Sequence, residues 1–367
     1  MAIKFSLPLW YDLHTHVRQD GLLEPVIKSL KNMGCAGFLA MPNTKPPVAK
    51  IRRADDLPYW SIEEYRAMIM DAGGNDFTSI ITPLYLTKDT TPAMIEDGAR
   101  SGLLRACKYY PPHGTTGADF GVPLEELMKT DIFAAMVDHG VTLCIHGEEH
   151  GLGGEDYFGE GGNAEDFFYR TRVPQLLDQY PGLRLVCEHI TTRTAAAFVD
   201  QAGDNVAATI TPQHLLYTIG DLLQGCKYHL YCLPLLKFAT DRDALRRAVT
   251  NDNNKKFFAG TDSAPHTVKA TACGCAAGCF TGDIAPQLYA EGFEQAGVDL
   301  SNAQGQEIFK RFLCDNGRAY YDLPVPDRTF TLQKTPQTLS ATQTPEGTLT
   351  PLPLGLGHDT LPWSMTF

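Results

Sequence analysis

The sequence sets His14 and His16 two residues apart at the end of a short apolar run, Leu9-Trp10-Tyr11-Asp12-Leu13. In a strand, residues two apart share a face, so both imidazoles can reach one metal. A lone His-x-His means little, but Lys108, His146, His189 and Asp262 follow, each at or just past the carboxyl end of another apolar run. Those runs are Leu103-Leu-Arg-Ala-Cys-Lys108, Val141-Thr-Leu-Cys-Ile-His146, Leu183-Arg-Leu-Val-Cys-Glu-His189 and Phe257-Phe-Ala-Gly-Thr-Asp262. Metal-binding residue types at several strand ends suggest one site assembled from many strands. Four imidazoles and a carboxylate make a borderline-soft N/O set suited to zinc, and a larger one than a single tetrahedral ion with an open position can use. Two metals are therefore expected. Two cations need an anionic bridge, and by elimination the group left over is Lys108, whose neutral amine could carry CO2 as a carbamate.

The elements that must position these residues read as alternating strands and helices. Strands are predicted from Leu9 to His14, Ala36 to Met41, Thr78 to Leu86, Leu103 to Tyr109, Val141 to His146, Leu183 to His189, Asn205 to Ile210 and Lys256 to Gly260. Helical patterns lie between them, at Leu22 to Met33, Ser61 to Ala72, Pro92 to Ser101, Leu124 to His139, Phe167 to Gln179, Arg193 to Gln201 and Asp241 to Thr250. Eight strands separated by helices predict an α/β fold, a (β/α)8 TIM barrel. An open doubly wound sheet would gather its ligands at one switch point, whereas here they come from the first, fourth, fifth, sixth and eighth strands.

One domain over residues 1–367 is expected, with the barrel at about 9–322 and a Pro/Thr-rich segment at about 323–367. Pro324, Pro326, Pro336, Pro345, Pro351 and Pro353 could mark a disordered tail. Phe330, Leu332, Leu352, Leu354, Trp363 and Phe367 argue instead for an extended C-terminal segment packed on the barrel.

Composition excludes several classes. A formal net charge of -12, with no basic run longer than Arg52-Arg53, Arg246-Arg247 or Lys255-Lys256, argues against a nucleic-acid partner. No apolar stretch approaches membrane-spanning length, and the opening residues do not read as a signal peptide. Ten cysteines, several of them inside apolar runs (Cys107, Cys144, Cys187), fit a reducing cytoplasm.

Eight motifs together carry a resemblance. They are His14-Thr-His16-Val-Arg18, Met41-Pro-Asn43, Lys108-Tyr-Tyr-Pro111, His146-Gly-Glu, Glu188-His189-Ile-Thr-Thr, Thr211-Pro-Gln-His214, His229-Leu-Tyr-Cys-Leu-Pro234 and Gly260-Thr-Asp-Ser-Ala-Pro-His266. From about Leu9 to about Leu323 the chain resembles dihydroorotase of the amidohydrolase superfamily, and more closely its shorter, bacterial-type homodimeric class. The last two motifs separate that class from hydantoinase and allantoinase relatives. About a dozen residues precede the first expected ligand, which leaves little room for the flanking β-sandwich of those relatives.

The resemblance implies a zinc-dependent hydrolase of cyclic amide C–N bonds that interconverts dihydroorotate and N-carbamoyl-aspartate in pyrimidine synthesis, as a homodimer. It implies that His14, His16 and Asp262 hold the more buried zinc, and His146 and His189 the more exposed one. Carboxylated Lys108 (N6-carboxylysine) and a hydroxide would bridge them. Asp262 would also be the general base and acid. Arg18, Asn43 and His266 would bind the substrate carboxylate, and the backbone at Leu233 and Ala276 would read the ring edge. Thr115 and Thr116, in Pro111-Pro-His-Gly-Thr-Thr-Gly117, match a mobile loop that closes on the substrate.

The chain departs from the family pattern in places. The usual Arg-Asp-Gly reads Arg18-Gln19-Asp20-Gly21, one residue longer, and Ala276-Ala277 looks like a one-residue insertion, so that the backbone contact could belong to either alanine. His113 has no assigned role. Blander readings stand beside these: His139, His214 and His229 read as structural, and Asp262 could be a helix N-cap ahead of Ser263-Ala-Pro. Cys273, Cys275 and Cys279 read as free thiols on a loop near the mouth, with a separate metal knot as the alternative. A catalytically dead scaffold, or another cyclic amide or imide hydrolase, are the alternative functions. The first is disfavoured because every expected ligand is present.

Overall fold

The computed structural model describes residues 3–159, 161–272 and 274–367. Eight parallel strands form a ring: β1 (Trp10–Thr15), β2 (Cys35–Ala40), β3 in two pieces (Ser79–Ile81 and Leu84–Tyr85), β4 (Ala106–Tyr109), β5 (Thr142–His146), β6 (Leu185–Glu188), β7 (Val206–Ile210) and β8 (Phe257–Ala259). The first piece of β3 pairs with β2 and the second with β4, after which the pairing runs unbroken to β8. The ring closes just past β8, where the Asp262 amide donates to the His14 carbonyl at 2.8 Å and the His16 amide to the Ser263 carbonyl at 3.0 Å. All of β1, β2, β4, β5, β6, β7 and β8 is buried. Their inner faces fill the barrel and their outer faces meet helices, which is why they read as continuous apolar runs rather than alternating ones.

The strand expected over Thr78 to Leu86 is two segments because Pro83 lies between them and has no N–H to give a ladder. The helix expected over Leu124 to His139 is likewise two, Leu124–Leu127 and Ile132–His139. Thr130 sits in the gap and turns both its amide (3.0 Å) and its hydroxyl (2.6 Å) back onto the Leu127 carbonyl, ending the first helix. The helix expected from Phe167 begins at Ala164, where the Asn163 side chain accepts from the Glu165 and Asp166 amides. After β8 comes a helix absent from the sequence reading, Ala285–Gln295, which buries Leu288, Tyr289 and Phe293 against the barrel.

The C-terminal segment is ordered and packed. Thr329–Gln333 pairs antiparallel with both Lys4–Pro8 and Ser364–Thr366, making a three-stranded sheet from the two ends of the chain. Phe330, Leu332, Leu352 and Trp363 are buried as their composition required. Phe367 is 66% exposed and Leu354 only half-buried, so these two do not anchor the segment. Trp363 meets Phe5 edge-on at 6.0 Å and donates from its indole to Glu294 at 2.9 Å. Trp363→Ala should therefore cost about 3 to 5 kcal/mol in denaturant unfolding. A loss below about 1 kcal/mol would show that the segment rides on the barrel without stabilising it.

Candidate active site

The carboxyl ends of the strands converge on one cavity, and its walls are mostly the residues singled out by type and spacing. His14, His16, His146, His189 and Asp262 line its floor, with Arg18, Asn43, Thr115, Thr116 and Leu233 around them. The His189 ring centroid lies 4.7 Å from that of His14 and 4.8 Å from that of His146. Ligating atoms of His14, His16 and Asp262 all fall within 4.8 Å of one another. No helix follows Asp262, which excludes the N-cap reading. Asp262 (φ 47°) and His189 (φ 39°) both stand in the left-handed region, where a side chain is strained, and that turn at the strand end aims each group into the mouth.

Three of the four imidazoles, His14, His16 and His146, have one nitrogen committed to orientation. The Nδ1 of His14 donates to Glu188 Oε2 at 2.6 Å, which leaves its Nε2 facing Asp262 at 3.4 Å with no hydrogen-bond partner. His16 uses Nδ1 on the Asn43 side-chain oxygen at 2.8 Å and points Nε2 at Asp262 Oδ1, 2.9 Å away. His146 gives its Nε2 to Glu148 at 3.0 Å. Buried side-chain atoms without a partner are costly, and His14 Nε2, His189 Nδ1 and Lys108 Nζ are all of that kind. The His14 and His189 rings stand side by side, with His16 and Asp262 next to His14, so the donor set fits divalent zinc.

Lys108 is completely buried on β4, its ammonium nitrogen 4.9 Å from the centre of the Tyr110 ring. Burial pulls its pKa down, against the raising effect of Glu188. Burial pulls His189 far below the usual histidine range, so it is a neutral donor. Burial alone would raise Asp262, yet the His14 and His16 imidazoles packed against it hold its carboxyl well below the normal range.

At the other side of the cavity Arg18, also in the left-handed region at φ 61°, has no ion-pair partner among the described residues. Its guanidinium donates to the Pro265 carbonyl and lies 3.2 Å from His266 Nε2. Asn43 gives its carbonyl oxygen to His16 and donates one amide N–H to the Thr116 carbonyl at 2.9 Å, which leaves its second N–H. Ala276 does not line the cavity: its carbonyl faces Lys269, while Ala277 lines the wall. His113 is exposed and 3.7 Å from Asp119. His214 is buried between Thr211 and the Pro234 carbonyl, as a structural histidine. Cys275 and Cys279 are free thiols; Cys273 lies outside the described residues.

Glu188 is the main residue that sequence reasoning left without a role. It stands beside His189 in a quoted motif, yet only the fold shows its carboxylate reaching across the barrel to His14, with Thr209 donating to the same oxygen at 2.6 Å. Glu148, two residues past His146, went unassigned in the same way.

A closed parallel barrel carrying this donor set at its carboxyl mouth defines a metal-dependent amidohydrolase. No family model matches the chain. It is 39% identical to the dihydroorotase of Halorhodospira halophila over 98% of both chains, and 41% identical to that of Neisseria meningitidis serogroup B over 90% of both. The crystal structure of Saccharomyces cerevisiae dihydroorotase with 5-fluoroorotic acid superposes with a TM-score of 0.85 at 26% identity, covering 99% of this chain and 98% of the yeast one. The chain belongs to the dihydroorotase family, and is a hydrolase acting on cyclic amide C–N bonds.

A carboxylate hydrogen-bonded to a ligating imidazole fixes its tautomer, and losing one typically weakens metal binding about 10- to 100-fold. Glu188→Gln should therefore release bound metal to a competing chelator at concentrations lower by about that factor. A shift under about twofold would mean that Glu188 does not set the His14 tautomer.

Proposed function

We propose that the chain catalyses the reversible cyclisation of N-carbamoyl-L-aspartate to L-dihydroorotate in pyrimidine synthesis, as a homodimer in the cytoplasm. The observation that carries the substrate assignment is the unpaired Arg18 guanidinium beside His266, in the same cavity as four imidazoles and Asp262. A half-buried cation with no ion-pair partner among the described residues, in one cavity with a hydrolytic centre, suits a substrate bearing a carboxylate next to its scissile ring. The homodimer rests on the resemblance to the homodimeric class, and the compartment on buried free thiols such as Cys107, Cys144 and Cys187.

In this reading His14, His16 and Asp262 would hold one zinc and His146 and His189 a second, and Lys108, as its carbamate, would supply the anion that two cations need. Full burial supports that role, since the amine must be neutral to take up CO2 and a desolvated lysine loses its proton more easily. When bound, the two ions supply Lewis acidity that polarises the ring carbonyl and brings the pKa of water from near 16 to roughly 7.

The rest is done by the chain. In the hydrolytic direction, water adds to the ring carbonyl carbon, Asp262 takes its proton, and the C–N bond breaks as Asp262 returns that proton to the leaving nitrogen. Such a shuttle contributes on the order of 10²- to 10⁴-fold. Arg18 and His266 hold the carboxylate, and the backbone of Leu233 and Ala277 meets the ring edge. Thr115 and Thr116, on a loop tied to Asn43 and Ala277, cover the mouth and donate hydroxyls once substrate is present.

Metal-loaded protein should turn over dihydroorotate in preference to dihydrouracil and hydantoin. Arg18→Met should cost about 2 to 5 kcal/mol of kcat/KM on dihydroorotate, mostly as KM, and leave any weak action on dihydrouracil unchanged. Equal losses on both rings would make Arg18 a structural residue. Lys108→Ala should lower bound zinc from about two ions per chain to one or none and abolish turnover. Two retained ions with normal turnover would remove the carbamate from the scheme.

A further inference from the structure

Lys269 is a cation in an unusual setting. The residue is only 8% exposed, and no described carboxylate pairs with it. Its ammonium instead donates to three backbone carbonyls, Tyr231 at 3.0 Å, Ala276 at 2.5 Å and Gly278 at 2.6 Å. These belong to two separate stretches of chain, the loop after β7 that carries Leu233 and the loop after β8 that carries Ala277. Among the described residues the two stretches are joined directly by one backbone hydrogen bond, from the Gly278 amide to the Tyr231 carbonyl at 2.9 Å, and by the Cys279 thiol on the His229 carbonyl at 3.4 Å. Lys269 sits on that junction, and its own carbonyl accepts from the Ala276 amide at 2.8 Å.

The clamped stretch has little freedom to be elsewhere. Gly278 has φ +142°, and a Cβ there would meet Ala264 Cβ at 2.6 Å and His266 Nε2 at 3.1 Å. The carbonyl of Ala277, between the two clamped residues, accepts from His266 Nε2 at 2.8 Å and from the Thr116 hydroxyl at 3.5 Å. A small shift of residues 276–278 would therefore move the cavity wall, the partner of His266 and the seat of the Thr116 loop together.

We propose that Lys269 is a positioning residue for substrate recognition: its ammonium ties the Leu233 loop to the Ala277 loop and so sets the spacing of the two backbone segments that read the ring. It touches no expected metal ligand. This inference rests on the reading of the cavity as the dihydroorotate site. Ring-edge contacts are made in the ground state and the transition state alike, so loosening them raises KM and leaves kcat. Removing the ammonium also strands the Ala276 and Gly278 carbonyls, which are then free to turn toward other donors, and leaves the Tyr231 carbonyl with the Gly278 amide alone.

The test is steady-state kinetics on the metal-loaded holoenzyme, with zinc content measured on the same samples. Lys269→Met keeps the length and removes the donors; KM for dihydroorotate should rise about tenfold or more, with kcat within about threefold of wild type and zinc unchanged. Lys269→Arg keeps a cation with several donors and should recover most of the KM. An unchanged KM in Lys269→Met overturns the proposal, as does a fall in kcat or zinc with KM held. Should the methionine variant fail to fold, Lys269→Gln, whose amide can serve at most two of the carbonyls, carries the same KM criterion. Wild-type turnover of dihydroorotate in the same assay separates failure of this inference from failure of the functional reading beneath it.

Discussion

The seam between the last barrel strand and the first is the contact on which the rest of the site depends. No regular ladder joins β8 to β1. The Asp12 carboxylate reinforces the backbone bonds just past β8, accepting the Thr261 amide at 2.9 Å and the Thr261 hydroxyl at 2.7 Å. Burial pushes the Asp12 carboxyl up to about 6, with the Thr261 bonds pulling the other way. Beside it, Gly260 lets the chain pass where a Cβ would meet Thr209 at 2.7 Å and His14 at 3.0 Å. With the seam fixed, the next residue, Asp262, has one place to go, and that place is against His14 and His16. Two histidines from the first strand and a carboxylate from the eighth become neighbours through ring closure alone.

Around that seam the barrel carries more buried charge than a structural core tolerates. Lys108, Glu188, Asp262 and the four imidazoles are all nearly inaccessible. Isolated, each would be expensive; what makes them affordable is that the carboxylates are bonded to imidazoles and hydroxyls rather than left in hydrocarbon. Glu188 serves His14 and Thr209 through one oxygen while its other has no partner. Glu165 takes the amides of Thr191 and Thr192 at 2.8 and 2.9 Å, fixing the chain just past His189. The charges without partners are the lysine and the metal-facing nitrogens. A site that holds each carboxylate by an imidazole or a hydroxyl and keeps its ligating nitrogens free is preorganised to receive cations.

The barrel and its donor set were legible in the sequence because both follow from local rules. Strands buried on two faces leave apolar runs, and a polar residue at the end of such a run has to face the mouth. What was not legible depends on contacts between distant segments. Glu188 reaches across the ring to His14, 174 residues away, and nothing in its own neighbourhood signals that. Ala277 lines the cavity while Lys269 draws the Ala276 carbonyl to itself, which spacing cannot reveal. Pro83 and Thr130, by contrast, were visible as breakers; the apolar pattern around them outweighed them in the reading but not in the fold.

Asn43 shows how the fixed and movable parts of the site are joined. A side-chain amide offers one acceptor group and two N–H donors. Its oxygen holds His16 in the tautomer that presents Nε2 to Asp262, and one N–H holds the Thr116 carbonyl of the covering loop. A second N–H is left over, so binding a substrate carboxylate does not require Asn43 to release either partner. Carboxylate capture, loop seating and the orientation of one expected metal ligand can thus coexist on a single planar group. An aspartate at that position would retain the acceptor for His16 but lose both donors, and would set a negative charge where Arg18 awaits one from the substrate. The amide is the one side chain of that shape that satisfies all three demands.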